Sequence, residues 1–301
     1  MQFMGYRRAD GRVGVRNYVL ILPGCACASE TCRLVASEVR GTKNVIMNVG
    51  CSDVQANTDM NLRVLTGFAL NPNVFGVIVI GLGCETVGHR ELAAKIRAET
   101  SKPVVSFGIQ EIGGTVATTA AAVKAAREMV AQASEQQREP CDASDLFVAI
   151  ECGGSDATSG IASNPAVGNM SDRIVDLGGT TMMSETIEFV GAEHILAKRG
   201  ATPEIHDQII RICEDYEKHL AGVGQDCRTG QPTTGNKAGG LSTIEEKSLG
   251  CIHKGGTRPV VEVLQEAARP TKKGALIMDT PGYDISSVTS MVAGGATMVG
   301  F

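Results

Sequence analysis

Three cysteines share one setting, in which an apolar run ends and a thiol follows beside Ser, Asp or Glu. They lie in Val45-Ile-Met-Asn-Val-Gly-Cys51-Ser-Asp53, Val77-Ile-Val-Ile-Gly-Leu-Gly-Cys84-Glu85 and Leu146-Phe-Val-Ala-Ile-Glu-Cys152-Gly-Gly-Ser-Asp156. In an open parallel sheet, ligands bind just beyond the carboxyl ends of the strands, and each of these thiols is expected at such an end. Cys51, Cys84 and Cys152, with Glu85 beside them, could hold a ferrous ion or a cluster with one open coordination position. The competing reading is structural, because a free cysteine often packs as a small hydrophobe. Cys25, Cys27, Cys32, Cys141, Cys213, Cys227 and Cys251 lack the shared setting and are read that way. Cys25-x-Cys27 also lacks the two-residue gap of redox and zinc motifs.

Other polar groups fall outside any core periodicity. His194 follows Glu193 and comes soon after Glu185, so it reads as a metal ligand or general base. The alternative is an exposed helical histidine, and His89, His206, His219 and His253 are read as solvated. Lys237 sits between glycines in Gly235–Gly240, and Lys254 opens Lys254-Gly-Gly-Thr257. Glycine lets backbone approach a small anion and lysine supplies charge or a titratable base, although such a lysine is often only solvated. Asp279 adds a carboxylate at another strand end. Arg12 and Arg16, in Gly11–Asn17, could clamp a carboxylate in bidentate fashion. Gly81-x-Gly83-x-x-Thr86 suggests a dinucleotide loop, but Thr86 replaces the third glycine and Glu85 would repel a pyrophosphate.

The elements that must position these groups alternate. Strands are expected at Tyr18–Leu22, Val45–Val49, Val74–Ile80 and Pro103–Phe107, with helices at Glu30–Arg40, Thr58–Ala69, Glu91–Thr100 and Gly114–Glu135. Val74–Ile80 is apolar throughout, the pattern of a strand buried on both faces. A polar, proline-bearing linker is expected at Glu135–Asp145. Then come a strand at Leu146–Ile150, a helix at Asp172–Asp176, a strand at Thr180–Met183 and a helix at Pro203–Leu220. A long loop is expected at Gln225–Gly240, then a strand at Gly274–Met278. The fold class predicted is α/β, as two consecutive Rossmann-like units with mainly parallel sheets, 1–140 and 141–301. The chain stops at Phe301 inside an apolar stretch, which reads as a fragment cut before its C-terminus.

Composition bounds the function. The chain has 301 residues, 43% of them hydrophobic, and a net charge of −5. No basic stripe exists to neutralise phosphates, and aromatics are only 4% with no Trp, so nucleic acid is excluded as a partner. No apolar run is long enough to span a bilayer, and the N-terminus has no signal-peptide core. Reduced, unpaired thiols then point to the cytoplasm. The 36 glycines, about 12% of the chain, are well above the usual ~7% and signal tight turns and close backbone approach.

Read together, the motifs resemble the altronate/galactarate dehydratase family. Those that carry the likeness include Gly11-Arg-Val-Gly-Val-Arg-Asn17, Asn71-Pro-Asn73, Gly81-Leu-Gly-Cys-Glu85 and Gln110-Glu-Ile-Gly-Gly-Thr115. Cys152–Asp156, Ser159–Pro165, Ser184-Glu-Thr186, Gly191–His194, Gly235–Gly240, Glu246–Gly250, Lys254–Thr257 and Met278–Asp284 complete it in order along the chain. The resemblance implies a hydro-lyase that dehydrates a sugar acid to a 2-keto-3-deoxy acid, with Fe2+, another divalent metal such as Mn2+, or an iron–sulfur cluster. It implies His194, Lys237, Glu185 and Asp156 in catalysis, and Arg16, Asn17, Ser155, Lys254, Thr257 and Asp279 in substrate binding. The metal would sit on Cys51, Cys84, Cys152 and Glu85. A small β-rich, SAF-like N-terminal domain of many members is missing here, which implies a separate small subunit as partner, and a homo-oligomer is expected. The family continues past Phe301 with a Gly-rich stretch. Alternatives are the large subunit of a sulfolactate sulfo-lyase or a non-catalytic sugar-acid-binding subunit. The presence of Cys51 and Cys84 favours the sugar-acid branch.

Overall fold

A computed structural model describes residues 1–301. The chain divides into two compact units, Gln2–Cys141 and Asp142–Phe301, the latter joined by Met1. Both are α/β units built on parallel sheets.

The first unit has strands β1 (Gln2–Arg7), β2 (Val13–Gly14), β3 (Tyr18–Pro23), β4 (Thr42–Asn44), β5 (Val74–Gly81), β6 (Val104–Gly108) and β7 (Glu139–Asp142). A parallel sheet runs β4-β3-β5-β6, and a small sheet runs β2-β1-β7. Successive side chains of a strand point to opposite faces, so the apolar run of β5 is divided between two cores. Ile78 and Ile80 pack with Val19, Ile21, Val35, Ala122 and Ala126 on one side. Val77 and Val79 pack with Leu20, Leu22, Leu65, Leu92 and Ile96 on the other. The helices that cover these faces are Ala26–Glu38 and Thr115–Glu135, and Gln55–Leu70 and His89–Glu99.

Two expected boundaries are corrected here. Val45–Val49 is not a strand, because the sheet pairing ends at Asn44. The segment is held by single contacts, Ser29 Oγ with Met47 and Ala26 N–H with the Val49 carbonyl. The supposed linker contains β7, which closes the small sheet.

The second unit has β8 (Phe147–Ile150), β9 (Thr180–Met183), β10 (Val260–Leu264), β11 (Ala275–Met278) and β12 (Met298–Gly300). They pair in the order β10-β11-β9-β8-β12, all parallel. Its principal helices are Asn164–Asp176, Pro203–Gly222, Ile244–Cys251 and Asp284–Ala293. The first of these begins well before the expected Asp172, with Pro165 in its first turn and a wide turn at Ser159–Ser163 leading into it. The expected loop at Gln225–Gly240 holds two short helices, Cys227–Gly230 and Thr234–Ala238. Each is capped by a side chain accepting a backbone N–H, Asp226 and Thr233 respectively. Period-based reading misses helices this short, whereas their caps were visible in the sequence.

Candidate active site

The second sheet ends in a group of buried polar side chains. Glu151 and Cys152 directly follow β8, and Ser184 and Glu185 follow β9. The chain then makes a tight turn, Thr186–Glu188, that folds Glu188 back inside. Glu185 enters this turn in the left-handed region, at φ +64°. Thr280, just past the end of β11, holds the turn: Glu185 N–H donates to Thr280 Oγ1 at 2.8 Å, and Thr186 N–H to the Thr280 carbonyl at 3.1 Å. Thr186 Oγ1 donates to Asp279 at 2.5 Å.

Lys254 reaches this group from the turn Ile252–Gly255, which follows the helix Ile244–Cys251. Its ammonium pairs with Glu188, and both side chains are almost wholly buried. Burial is the largest single influence and acts to lower the Lys254 pKa, but the acidic groups around it, Glu188 first among them, together outweigh it and hold the lysine charged. Burial likewise acts to raise Glu188, and Lys254 outweighs it, so Glu188 stays ionised. Around this pair the other groups keep their protons. Burial, then the Glu188 charge, pushes up the Cys152 thiol, and the same two causes act on Cys251. Burial, then repulsion from Glu188 and Glu151, raises Glu185 from 4.5 to about 8. Cys152 Sγ and carboxylate oxygens of Glu185 and Glu188 all lie within 4.8 Å of one another.

Of the residues singled out from sequence, Cys152, Ser155, Glu185, Lys254 and Asp279 belong to this group or its rim. Ser155 Oγ lies 3.4 Å from Cys152 Sγ. The Ser155 carbonyl accepts Asn236 Nδ2 at 2.8 Å, which ties down the helix carrying the exposed Lys237. His194 is exposed on the short helix Glu193–Leu196, while the Glu193 carboxylate turns to the Gly191 N–H. Cys51 and Cys84 are exposed at the carboxyl edge of the first unit's sheet, with Gly50 bound to Thr86 between their loops.

Several expectations are corrected. Lys254 is committed to Glu188 and is not a free carboxylate clamp. Oδ1 of Asp156 accepts the Thr158 hydroxyl and the N–H and hydroxyl of Ser159, which braces its own turn. Thr257 donates to Asp172, closing the Lys254 turn onto the helix Asn164–Asp176. Glu85 turns inward and accepts the N–H groups of Leu82, Gly83 and His89, which stabilises its loop instead of offering a free metal donor. Arg16 and Asn17 precede β3, so they lie at the amino edge of the sheet, about 20 Å of strand from the edge bearing Cys51 and Cys84. There Arg16 bonds the Val15 carbonyl and Asn17 the Ala133 carbonyl. His89, read as solvated, is buried against Glu111.

The sequence reading missed Glu151, Glu188 and Cys251. Glu188 lies in the apolar run Ile187-Glu-Phe-Val190, where an isolated acid is itself a signal, since unpaired carboxylates are rarely buried.

A buried set of thiol, carboxyls and ammonium beyond the ends of parallel strands is the arrangement of an α/β enzyme site. The chain belongs to the D-galactarate/altronate dehydratase family. Residues 5–134 match the family's second domain (D-galactarate dehydratase/altronate hydrolase), and residues 143–301 match its C-terminal domain. It is 41% identical to the (2R)-sulfolactate sulfo-lyase subunit beta of Chromohalobacter salexigens, over 97% of this chain and 75% of that one. It is 35% identical to the galactarate dehydratase (L-threo-forming) of Escherichia coli, over 98% of this chain and 60% of the relative. It is 33% identical to the altronate dehydratase of Bacillus subtilis, over 99% and 61%. The chain thus spans about three fifths of the dehydratases and three quarters of the sulfo-lyase subunit. These named relatives are all lyases. No helix is long and apolar enough to cross a membrane.

Proposed function

We propose that this chain carries the elimination site of a hydro-lyase that dehydrates a sugar acid of the altronate or galactarate type to a 2-keto-3-deoxy acid. The observation that supports this most is the Lys254–Glu188 pair buried beside Cys152 and Glu185. Elimination needs a proton removed next to a carboxylate, and negative charge builds on the resulting enediolate. A buried ammonium held charged is suited to stabilise that charge. The Ser155 hydroxyl at the rim would orient the substrate. Lys237, on the helix tied to Ser155, would exchange protons with substrate and leaving hydroxyl.

The same residues suit a divalent cation. With Glu151, Glu185 and Glu188 all ionised, Lys254 balances only one of three charges, and buried charge of this kind needs a partner. In metal-free protein the proton on Glu185 relieves the excess, and a cation on Cys152, Glu185 and Glu188 would do the same. Such an ion, when bound, would supply Lewis acidity to the substrate carboxylate and hydroxyl. The exposed thiols of Cys51 and Cys84 are the first unit's remaining candidates for metal.

The relationship to a sulfo-lyase subunit supports a second reading, in which sulfite replaces water as leaving group at the same enediolate chemistry. In either reading a second, small subunit of SAF-like type and assembly of several copies are proposals. Anaerobically purified protein, with and without such a subunit, should be supplied with Fe2+ or Mn2+ and assayed against altronate, galactarate and sulfolactate. Formation of the 2-keto-3-deoxy acid, lost in Cys152→Ser and Lys254→Met, is the expected result. Sulfite release from sulfolactate alone would move the assignment to the second reading, and inertness toward all three would leave a binding subunit.

A further inference from the structure

We infer that Cys27, Cys51 and Cys84 form an iron–sulfur site of the first unit, as the three protein ligands of a [4Fe–4S] cluster. The inference stands on these thiols and not on the Lys254–Glu188 group, so either reading can fail without the other. Of the ten cysteines, six are buried and Cys152 is half-buried, which leaves these three as the exposed ones. Cysteine is among the most buried residue types, so three exposed thiols need a reason, and all three stand at one edge of one sheet. Cys27, read from the sequence as a packing residue, is instead the second residue of the helix Ala26–Glu38, just past β3. Cys51 lies in the loop after β4, and Cys84 in the loop after β5.

These segments are tied together at the thiols. Ala26 N–H donates to the Val49 carbonyl at 2.7 Å, and Thr86 N–H to the Gly50 carbonyl at 2.8 Å. A Cβ on Gly50 would stand 2.5 Å from the Cβ of Cys25, so the two backbones are in direct contact and only glycine fits. Consecutive Cα atoms are ~3.8 Å apart, and each of the three cysteines is one or two residues from a tie. Ser52, next to Cys51, is held in the left-handed region at φ +55°, strain of the kind that gathers at functional sites. Asp53 has an Oδ2 that is buried with no hydrogen-bond partner, and it lines a small cavity with Gly24, Gly50 and Thr86. A buried acceptor left open in this way suits a ligand donor beside the thiols.

A donor set made only of thiolates selects zinc, Cu(I) or iron–sulfur clusters. The three sulfurs are not all within 4.8 Å of one another, as the donor atoms of Cys152, Glu185 and Glu188 are. That spacing is too wide for one tetrahedral ion and suits a cluster, whose ligand sulfurs sit on different irons. Three thiolates would leave one iron without a protein sulfur, the open position at which a substrate hydroxyl or carboxylate can be polarised.

The test reads iron and sulfide, not turnover. The full chain is reconstituted anaerobically with Fe2+ and sulfide. The wild type should take up iron and acid-labile sulfide in the equal proportions of a [4Fe–4S] cluster, with the broad visible absorption of sulfide-to-iron charge transfer. Loss of one electron to ferricyanide should then release the iron that lacks a thiolate as Fe2+, leaving a [3Fe–4S] centre seen by electron paramagnetic resonance. Cys27→Ala, Cys51→Ala and Cys84→Ala should each abolish the uptake. Because these thiols are exposed, the same variants should keep the thermal melt of the cluster-free wild type, which separates ligand loss from misfolding. Cys152→Ser should keep the cluster. Wild-type uptake in Cys27→Ala overturns the inference, and so does loss of the cluster in Cys152→Ser at an unchanged melt. A wild type that takes up iron without sulfide, or neither, overturns it as well.

Discussion

Lys254 and Glu188 are a pair whose members cannot be separated without cost. Removing one partner of a buried ion pair leaves the other uncompensated, typically at ~3–5 kcal/mol. Lys254→Ala should lower stability by about that amount in denaturant titrations, and a double variant with Glu188→Gln should recover part of the loss. Glu185 gives a pH signature in metal-free protein. Its folded pKa is raised from 4.5 to about 8, so the folded state keeps a proton that the unfolded state releases. That contribution is complete below about 4.5 and is lost as pH rises through about 8. Melting temperatures followed across this window should fall with rising pH more steeply in the wild type than in Glu185→Gln. At this scale the sequence was partly legible. Cys152, Glu185 and Lys254 announce themselves by glycines and strand ends. Glu188 gives a weaker signal, an acid inside an apolar run, and Glu151 gives none of its own, because its burial depends on Ser184 and Ser287 from other elements.

Among the elements, the turn bearing Lys254 depends on a close approach of two backbones. A Cβ on Gly168, in the helix Asn164–Asp176, would stand 2.1 Å from the His253 carbonyl oxygen. Gly168→Ala should therefore push the Lys254 turn away from that helix. Its effect should exceed the few tenths of a kcal/mol usual for a surface change, read as a lowered melting temperature. The same helix shows why boundaries were harder to read than element types. Its first turns carry Asn164 and Gly168, which propensity disfavours, and contact with the turn Ile252–Gly255 overrides that preference. The strands were more legible, since β5 and β9 are continuous apolar or β-branched runs. β4 was displaced because the run Val45–Val49 offers its apolar residues to loop packing, with Val45 and Met47 set against the Leu20–Leu65 core.

For the whole molecule, the two units have separate cores. Val19, Ile78 and Leu92 belong to clusters confined to the first, and Phe189, Ile209 and Met278 to clusters confined to the second. A chain ending at Cys141 should then melt cooperatively by circular dichroism, and a broad non-cooperative loss of signal would contradict that. The α/β class was legible from the alternation of apolar runs and Ala-rich stretches. The assembly of the acid–thiol–ammonium group was not, because Cys152, Glu188 and Lys254 are far apart along the chain and meet only where parallel strands end together.

The left-handed backbone of Glu185 has a consequence for any laboratory evolution of this chain. A non-glycine residue held at φ +64° costs of order 1–3 kcal/mol, and the carboxyl it carries is buried among like charges. Asparagine tolerates that backbone better and carries no charge. Glu185→Asn should thus raise the melting temperature of metal-free protein while abolishing divalent-metal binding beside Cys152 and turnover. Selection for heat resistance alone would drift toward that variant, so a screen must demand chemistry at every round or it will breed the site away.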